Sequence, residues 1–305
     1  MKVLIIGLGS IGKKHVQALK SLYPNVEIFA LRSKTDADKY FDVINIFKLE
    51  DIASIIVDFV IIANPTSEHK KTIIQLIEYE LPLFIEKPIY SSLDIKEIVS
   101  EITKKGFLTY VACNLRFLDS IVFIKNKLSQ LQNIKLNEVN VYCGSYLPNW
   151  RPKVDFRKAY SSLVELGGGV HIDLIHELDY IYWLFGTPNE VKRNFRSQSS
   201  LSIPVFDYAN YILDFNGFCT SVVLNYYRRD PKRSLELVFD NETWVVDLLT
   251  NMITCNNQIV FKSDQRISDT YTIQMDYFIN CVNEKTNTFN SIIDAFNVLK
   301  ICLDK

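Results

Sequence analysis

The sequence predicts a doubly wound α/β domain with a parallel sheet over residues 1–117. An α+β domain with an open, mostly antiparallel sheet should follow over 118–305. Three observations predict this. Aliphatic runs without polar alternation, such as 58–63 (DFVIIA), alternate with helical segments through the first 115 residues or so. A glycine-patterned turn joins the first such run to the first helix. After about residue 118 the runs become alternating and are separated by Asn-Gly, Asp-Pro and Asp-Asn turns.

The elements follow in order. Strands are expected at 2–6, 26–31, 58–63, 81–85 and 108–113, with short elements in 35–55. Helices are expected at 10–22 with Ser10 as cap, at 66–79 with Thr66 or Ser67 as cap, and at 92–105 closed by Gly106. The second half should begin with a helix at 119–131 and a strand region at 136–146. An irregular aromatic and basic segment at 147–160 comes next, then a helix at 170–185. Runs at 208–215, 219–227, 234–239 and 243–248 read as a meander turning at 216–217, 230–231 and 240–241. Helices at 270–283 and 291–303 finish the chain.

Composition narrows the function. Among 305 residues, Lys plus Arg number 34 and Asp plus Glu 35, a formal net charge of -1. A nucleic-acid binder usually carries a strongly basic face, so no nucleic-acid partner is expected. No apolar run approaches the ~18–20 residues of a membrane span, and the opening segment is not a signal peptide, so no membrane partner is expected. The six cysteines form no CxxC pair. They read as buried thiols of a cytoplasmic protein, and no metal is expected.

The first motif is Gly7-Leu8-Gly9-Ser10-Ile11-Gly12, between a strand and a helix. Gly7 permits the tight turn, Gly9 lets the backbone approach a pyrophosphate, and Gly12 lets the helix pack on the strand. The N–H groups at Ser10 and Ile11 then face the phosphates. The carboxylate that reads a ribose 2′-hydroxyl should close the second strand, but the strand ends Leu31-Arg32-Ser33; Glu27 comes early, and Asp36 and Asp38 come late. Arg32 with Ser33 can hold a 2′-phosphate, so the cofactor is expected to be NAD(P)(H), with a lean to NADP(H).

Asn64, Pro65 and Thr66 follow the central strand, where ligands of open α/β sheets bind. His69, in the next helical turn, is either a further cofactor contact or a packing histidine. Glu86-Lys87-Pro88 ends the next strand. Adjacent strand residues face opposite ways, so Glu86 and Lys87 cannot serve one site equally. Lys87 is the candidate acid/base, with Glu86 counted beside the cofactor.

A glycine run, 167–169, precedes a helix on which Asp173, His176, Glu177 and Tyr180 share one stripe. Leu174, Leu178, Ile181 and Phe185 form an apolar stripe centred about 110° away, so the polar stripe should edge the core and line a cleft. Asp173 would orient His176, whose other ring nitrogen would exchange a proton with substrate. His171 lies off this stripe and reads as structural. The spacing is not the zinc-binding HExxH.

Together these motifs resemble the Gfo/Idh/MocA oxidoreductases over essentially the whole chain. The resemblance implies an N-terminal Rossmann domain that binds NAD(P), and a second-domain sheet that forms the substrate floor and builds dimers or tetramers. It implies that Lys87 is the catalytic lysine and that Asp173 and His176 are the family's Asp/His pair. The family spacing is Asp-x-x-x-His, whereas here it is Asp173-Leu-Ile-His176, with Glu177 in the i+4 place. Either His176 or Glu177 therefore meets the substrate. The string HELDY resembles a subgroup associated with surface-polysaccharide sugars.

Asn114 and Arg116 follow the last parallel strand and should enter the cleft. Tyr146, Trp150 and Arg151, with Asp155, Arg157 and Tyr160, form an aromatic and cationic loop. It is suited either to stack on a sugar ring and bind an anionic group, or to be a solvated loop with a packing Trp. The leading expectation is an oxidoreductase acting on a hydroxyl or keto carbon of a sugar-type small molecule, as a homodimer or homotetramer. An NAD-dependent glycosidase using transient oxidation and a non-catalytic cofactor-binding sensor are the alternatives.

Overall fold

The computed structural model describes residues 1–33, 38–130 and 134–304. It divides into two compact units, Met1–Cys113 with Tyr271–Leu299, and Asn114–Thr270 with Lys300–Lys305. A boundary at 117/118 assigns the terminal helices to the second half. Most of this helical hairpin instead packs with the first, because Phe278 inserts its ring edge-on against Phe59 and Phe84 in that core.

The first unit holds strands β1 (Lys2–Ile6), β2 (Glu27–Leu31), β3 (Ile44–Ile46), β4 (Phe59–Ile62), β5 (Leu83–Glu86) and β6 (Thr109–Ala112). They form a six-stranded parallel sheet in the order β3-β2-β1-β4-β5-β6. β4, β5 and β6 are buried along their whole length, which is why their sequences show no polar alternation. The connecting helices are α1 (Ser10–Leu22), α2 (Ile52–Ile55), α3 (Thr66–Leu76) and α4 (Lys96–Lys105). Gly106 closes α4 in the left-handed conformation, as expected. The caps expected at Ser10 and at Thr66 or Ser67 are not formed. Gly9 and Pro65 occupy those cap positions, and neither helix start has a side-chain cap. Of the segment 35–55, residues 35–37, including Asp36, lie outside the described residues.

The second unit opens with α5 (Asp119–Gln130); the expected helix end at Leu131 lies outside the described residues. Its strands are β7 (Leu136–Gly144), β8 (Glu190–Arg196), β9 (Tyr208–Phe215), β10 (Phe218–Asn225), β11 (Lys232–Phe239), β12 (Thr243–Asp247), β13 (Met252–Cys255) and β14 (Gln258–Lys262). The sheet order is β14-β13-β12-β11-β7-β10-β9-β8, and β7 with β10 is its one parallel pair among the described residues. The expected meander is therefore interrupted. β7 lies between β10 and β11 and buries Val139, Val141 and Cys143.

The helix expected at 170–185 is two helices, α6 (Val170–Asp173) and α7 (His176–Phe185). Leu174 leaves helical geometry at φ -97° and ψ 25°, so Asp173 and His176 do not share one continuous helical stripe. The terminal helices are α8 (Thr270–Glu284) and α9 (Ile292–Leu303).

Candidate active site

In the first unit the site is built at the switch point of the sheet, where β1 and β4 lie side by side while their helices leave in opposite directions. Gly7 ends β1 with φ +96°, and a Cβ there would collide with the backbone nitrogen of Asn64. A Cβ on Gly12 would collide with the Gly7 carbonyl oxygen. The loops after β1 and β4 thus touch, and only glycine fits at either point. Gly9 differs: among the described residues nothing lies within 4 Å of where its Cβ would stand. The start of α1 has no side-chain acceptor and no acidic residue in its first turn. Open space over Gly9 and uncapped N–H groups at Ser10 and Ile11 suit a pyrophosphate.

Arg32 donates from Nη1 to the Asp38 carbonyl and to Asn45 Oδ1, both at 3.2 Å, which fixes it just beyond β2. Ser33 beside it is exposed. Asn64 Nδ2 donates to Thr72 Oγ1 at 2.8 Å. His69 is buried between two backbone carbonyls, Nδ1 at 2.9 Å from Pro88 O and Nε2 at 3.0 Å from Asn64 O. Burial lowers its pKa, and the two carbonyls oppose that shift. His69 is thus a packing histidine that joins the loop after β4 to the loop after β5.

Glu86 is also turned inward. Its Oε1 lies 2.6 Å from Nε2 of His15, a fully buried residue of α1, and its Oε2 accepts from the Lys87 N–H at 3.3 Å. Lys87 is half-buried and precedes a cis peptide to Pro88. Lys87 is the first residue beyond β5, which ends at Glu86. His15 carries no distinguishing signal in the sequence; it sits on the buried face of α1 with Val16 and Leu19, where an ordinary core residue would stand.

In the second unit Asp173 and His176 are half-buried. Asp173 Oδ2 accepts from Ser161 Oγ at 2.6 Å and from Tyr226 Oη at 3.0 Å. Burial, and after it the Asp173 carboxylate, raises the Tyr226 pKa, so this phenol stays a donor. Tyr226 also meets Trp150 edge-on at 5.4 Å, and Trp150 Nε1 donates to Ser145 Oγ at 2.7 Å. Trp150 is anchored at one edge while more than a third of it stays exposed. Arg229 stacks its guanidinium 3.6 Å from the Tyr146 ring centre. Arg151 is exposed.

Three residues expected to meet substrate lie elsewhere. Glu177 is buried and paired with Arg233, which donates to Glu177 Oε1 from Nε at 2.8 Å and also from Nη2. Burial alone would lower the Arg233 pKa, but the carboxylate outweighs it and keeps the guanidinium charged. Arg116 is buried on Asp179, Nε to Oδ2 at 2.8 Å and Nη2 to Oδ1 at 2.7 Å. Asn114 is buried and donates to Thr270 Oγ1 at 2.8 Å. Tyr180, on the expected polar stripe, is also wholly buried. The stripe after the helix break therefore faces the interior. Asp173 and His176, flanking the break, are its half-exposed members. Tyr226, Ser161, Arg229, Arg233 and His15 are not legible in the sequence, because each acquires its partner only through tertiary folding.

Both sheets have counterparts in a known family. Residues 1–113 match a family model described as an oxidoreductase family NAD-binding Rossmann fold, and residues 128–238 match that family's C-terminal alpha/beta domain. The chain is similar to glucose-6-phosphate 3-dehydrogenase of Bacillus subtilis (strain 168), 25% identical over 68% of this chain and 62% of that protein. It is also similar to 2,7-anhydro-N-acetylneuraminate hydratase of Mediterraneibacter gnavus, 28% identical over 53% and 41% respectively. The chain thus spans less than two thirds of the length of these relatives. Among solved structures it is similar to the WlbA dehydrogenase from Bordetella pertussis in complex with NADH and UDP-GlcNAcA. That likeness has a TM-score of 0.81 at 16% identity, and covers 99% of this chain and 93% of the other. The two domain matches, on the glycine-loop sheet and on the sheet that carries Tyr226 and Arg233, show that the chain belongs to the Gfo/Idh/MocA oxidoreductase family.

Proposed function

We propose that this chain transfers hydride between a nicotinamide dinucleotide and a hydroxyl or keto carbon of a sugar or sugar-nucleotide derivative. The observation that carries the reading is the switch-point loop, in which Gly7 and Gly12 admit no side chain while Gly9 opens onto free space beside an uncapped helix start. Gly9, Ser10 and Ile11 would hold the pyrophosphate, and Asn64, Pro65 and Thr66 would border the nicotinamide ribose. Arg32 and Ser33 would meet the adenosine ribose, where a 2′-phosphate would find a guanidinium already oriented. The bound nicotinamide supplies the hydride donor or acceptor.

The chain's own residues manage the proton. Lys87 and His176 exchange it with the substrate hydroxyl, and Asp173, held by Ser161 and Tyr226, orders the second group. The substrate-facing role passes from Glu177 to His176, since Glu177 is engaged by Arg233. Exposed Trp150 offers an aromatic face to a sugar ring. Arg151 and the Arg229–Tyr146 stack suit an anionic group, in keeping with the UDP-GlcNAcA held in the Bordetella complex. Self-association through the outward face of the second-unit sheet, which presents Tyr142, Ile212 and Val223, is part of the same reading.

A second reading, transient oxidation that drives an elimination, is favoured by the similarity to a protein named as a hydratase. One experiment separates the two. Native mass spectrometry with NADH or NADPH reports cofactor and copy number. A panel of sugar phosphates, inositols and uridine-diphosphate sugars is then followed by nicotinamide absorbance and by product mass. Stoichiometric reduction of the nicotinamide supports the dehydrogenase, and product without net absorbance change supports the elimination. Failure to bind either dinucleotide removes both.

A further inference from the structure

We propose that two buried histidines, His15 and His69, act as positioning residues for Lys87 by clamping the peptide that carries it. The inference rests on Lys87 being the acid/base of the reading above. His15 and His69 lie on different helices, α1 and α3, and each is almost wholly buried. His15 Nε2 lies 2.6 Å from Glu86 Oε1, and a carboxylate only accepts, so this nitrogen carries the hydrogen. The other carboxylate oxygen accepts the Lys87 N–H at 3.3 Å. On the far side, His69 Nδ1 lies 2.9 Å from the Pro88 carbonyl, and its Nε2 lies 3.0 Å from the Asn64 carbonyl. A neutral imidazole carries one N–H, and with it on Nδ1 the His69 ring donates to the Pro88 carbonyl, so the backbone is held immediately before and immediately after the lysine, from the helices that follow the β1 and β4 loops.

The geometry gives Glu86 a task distinct from cofactor contact. Glu86 is the last residue of β5, and by anchoring on His15 while accepting the Lys87 N–H it fixes the backbone from which the Lys87 side chain leaves. The His15 ring also packs edge-on against Phe84, with 4.9 Å between centroids. Among the described residues His15 Nδ1 is buried without a hydrogen-bond partner. A water-facing carboxylate would need no such arrangement, since solvent would satisfy it. A buried one needs a dedicated donor, and the donor here belongs to α1, the helix whose N-terminus would hold the pyrophosphate in the proposed function. Cofactor binding and the direction of the lysine are thus tied to one helix.

The test is competitive labelling of the lysine amines with trace acetic anhydride, read by peptide mass, on the full chain with NADH present. In His15→Leu, labelling of Lys87 should change by about threefold or more while other lysines stay within about 1.5-fold, a coupling of the size neighbouring groups show. His15→Gln, which returns an N–H toward Glu86, should restore the wild-type ratio. Unchanged Lys87 labelling in a folded His15→Leu overturns the proposal, and so does a change in step with every other lysine, which marks general loosening. If His15→Leu does not fold, Glu86→Gln is scored against the same limits. Lys87→Ala on a sugar that the wild type oxidises separates the two claims. Retained turnover there removes Lys87 as acid/base, while selective labelling still demonstrates the clamp.

Discussion

Replacing Arg116 with Ala should destabilise the second unit rather than weaken substrate binding. The guanidinium makes two parallel hydrogen bonds to Asp179, at 2.8 and 2.7 Å, and the two side chains are 1% and 2% exposed. Removing one member of such a pair leaves a buried charge uncompensated, at a cost of about 3–5 kcal/mol. For a unit of this size each kcal/mol lowers Tm by roughly 2–4 °C, so the expected drop is on the order of 6–20 °C. Replacing both members with apolar residues, Arg116→Met with Asp179→Leu, should recover most of the loss, because neither charge is then stranded. Calorimetry with urea unfolding checks both variants. An Arg116→Ala protein with wild-type Tm and a raised KM for a sugar substrate would refute the reasoning and return Arg116 to the substrate site.

Three further outcomes follow. Gly9→Ala should keep Tm, since its Cβ meets nothing within 4 Å among the described residues, yet lose NADH affinity by about tenfold or more by fluorescence titration; unchanged affinity would mean no phosphate approaches this backbone. Arg32→Ala should weaken NADPH by about tenfold while sparing NADH, and equal losses would sink the phosphate-reading role. Burial holds the His171 pKa down at about 4, against an ordinary value of 6.5. Its contribution is complete above pH 6.5 and is lost as pH falls toward 4, where the unfolded chain takes up the proton and the folded one resists it. Between those values the wild type should lose about 3 kcal/mol more than His171→Phe in urea unfolding, and identical pH profiles would contradict the burial argument.

The parallel half of the fold is legible because its strands are buried on both faces, and runs such as 59–62 announce themselves without reference to any neighbour. β8 escapes a sequence reading although it alternates, because Arg193 takes an inward position and donates to the carbonyls of Lys300 and Ile301, so the strand reads as polar. β14, an edge strand with Ile259 63% exposed, lacks the buried face that marks a strand. No Pro or Gly between 170 and 185 signals the break at Leu174, so the pattern puts Asp173 and His176 on one helix. Glu177 and Arg116 mislead for a related reason. Their partners lie 56 and 63 residues away, and a charged residue gives no local sign that it will be neutralised at long range. The glycine loop and Glu86-Lys87-Pro88 are legible because their chemistry depends on backbone and strand direction, which short spacings encode.

The proposed function assigns the substrate proton to one amine and one imidazole, Lys87 and His176. Its most direct measurement is the turnover of Lys87→Ala and His176→Ala on a sugar that the wild type oxidises, alongside NADH titration of each. Each variant should lose roughly 10²–10⁴-fold in kcat while NADH affinity stays close to wild type. Wild-type turnover in either variant would contradict it.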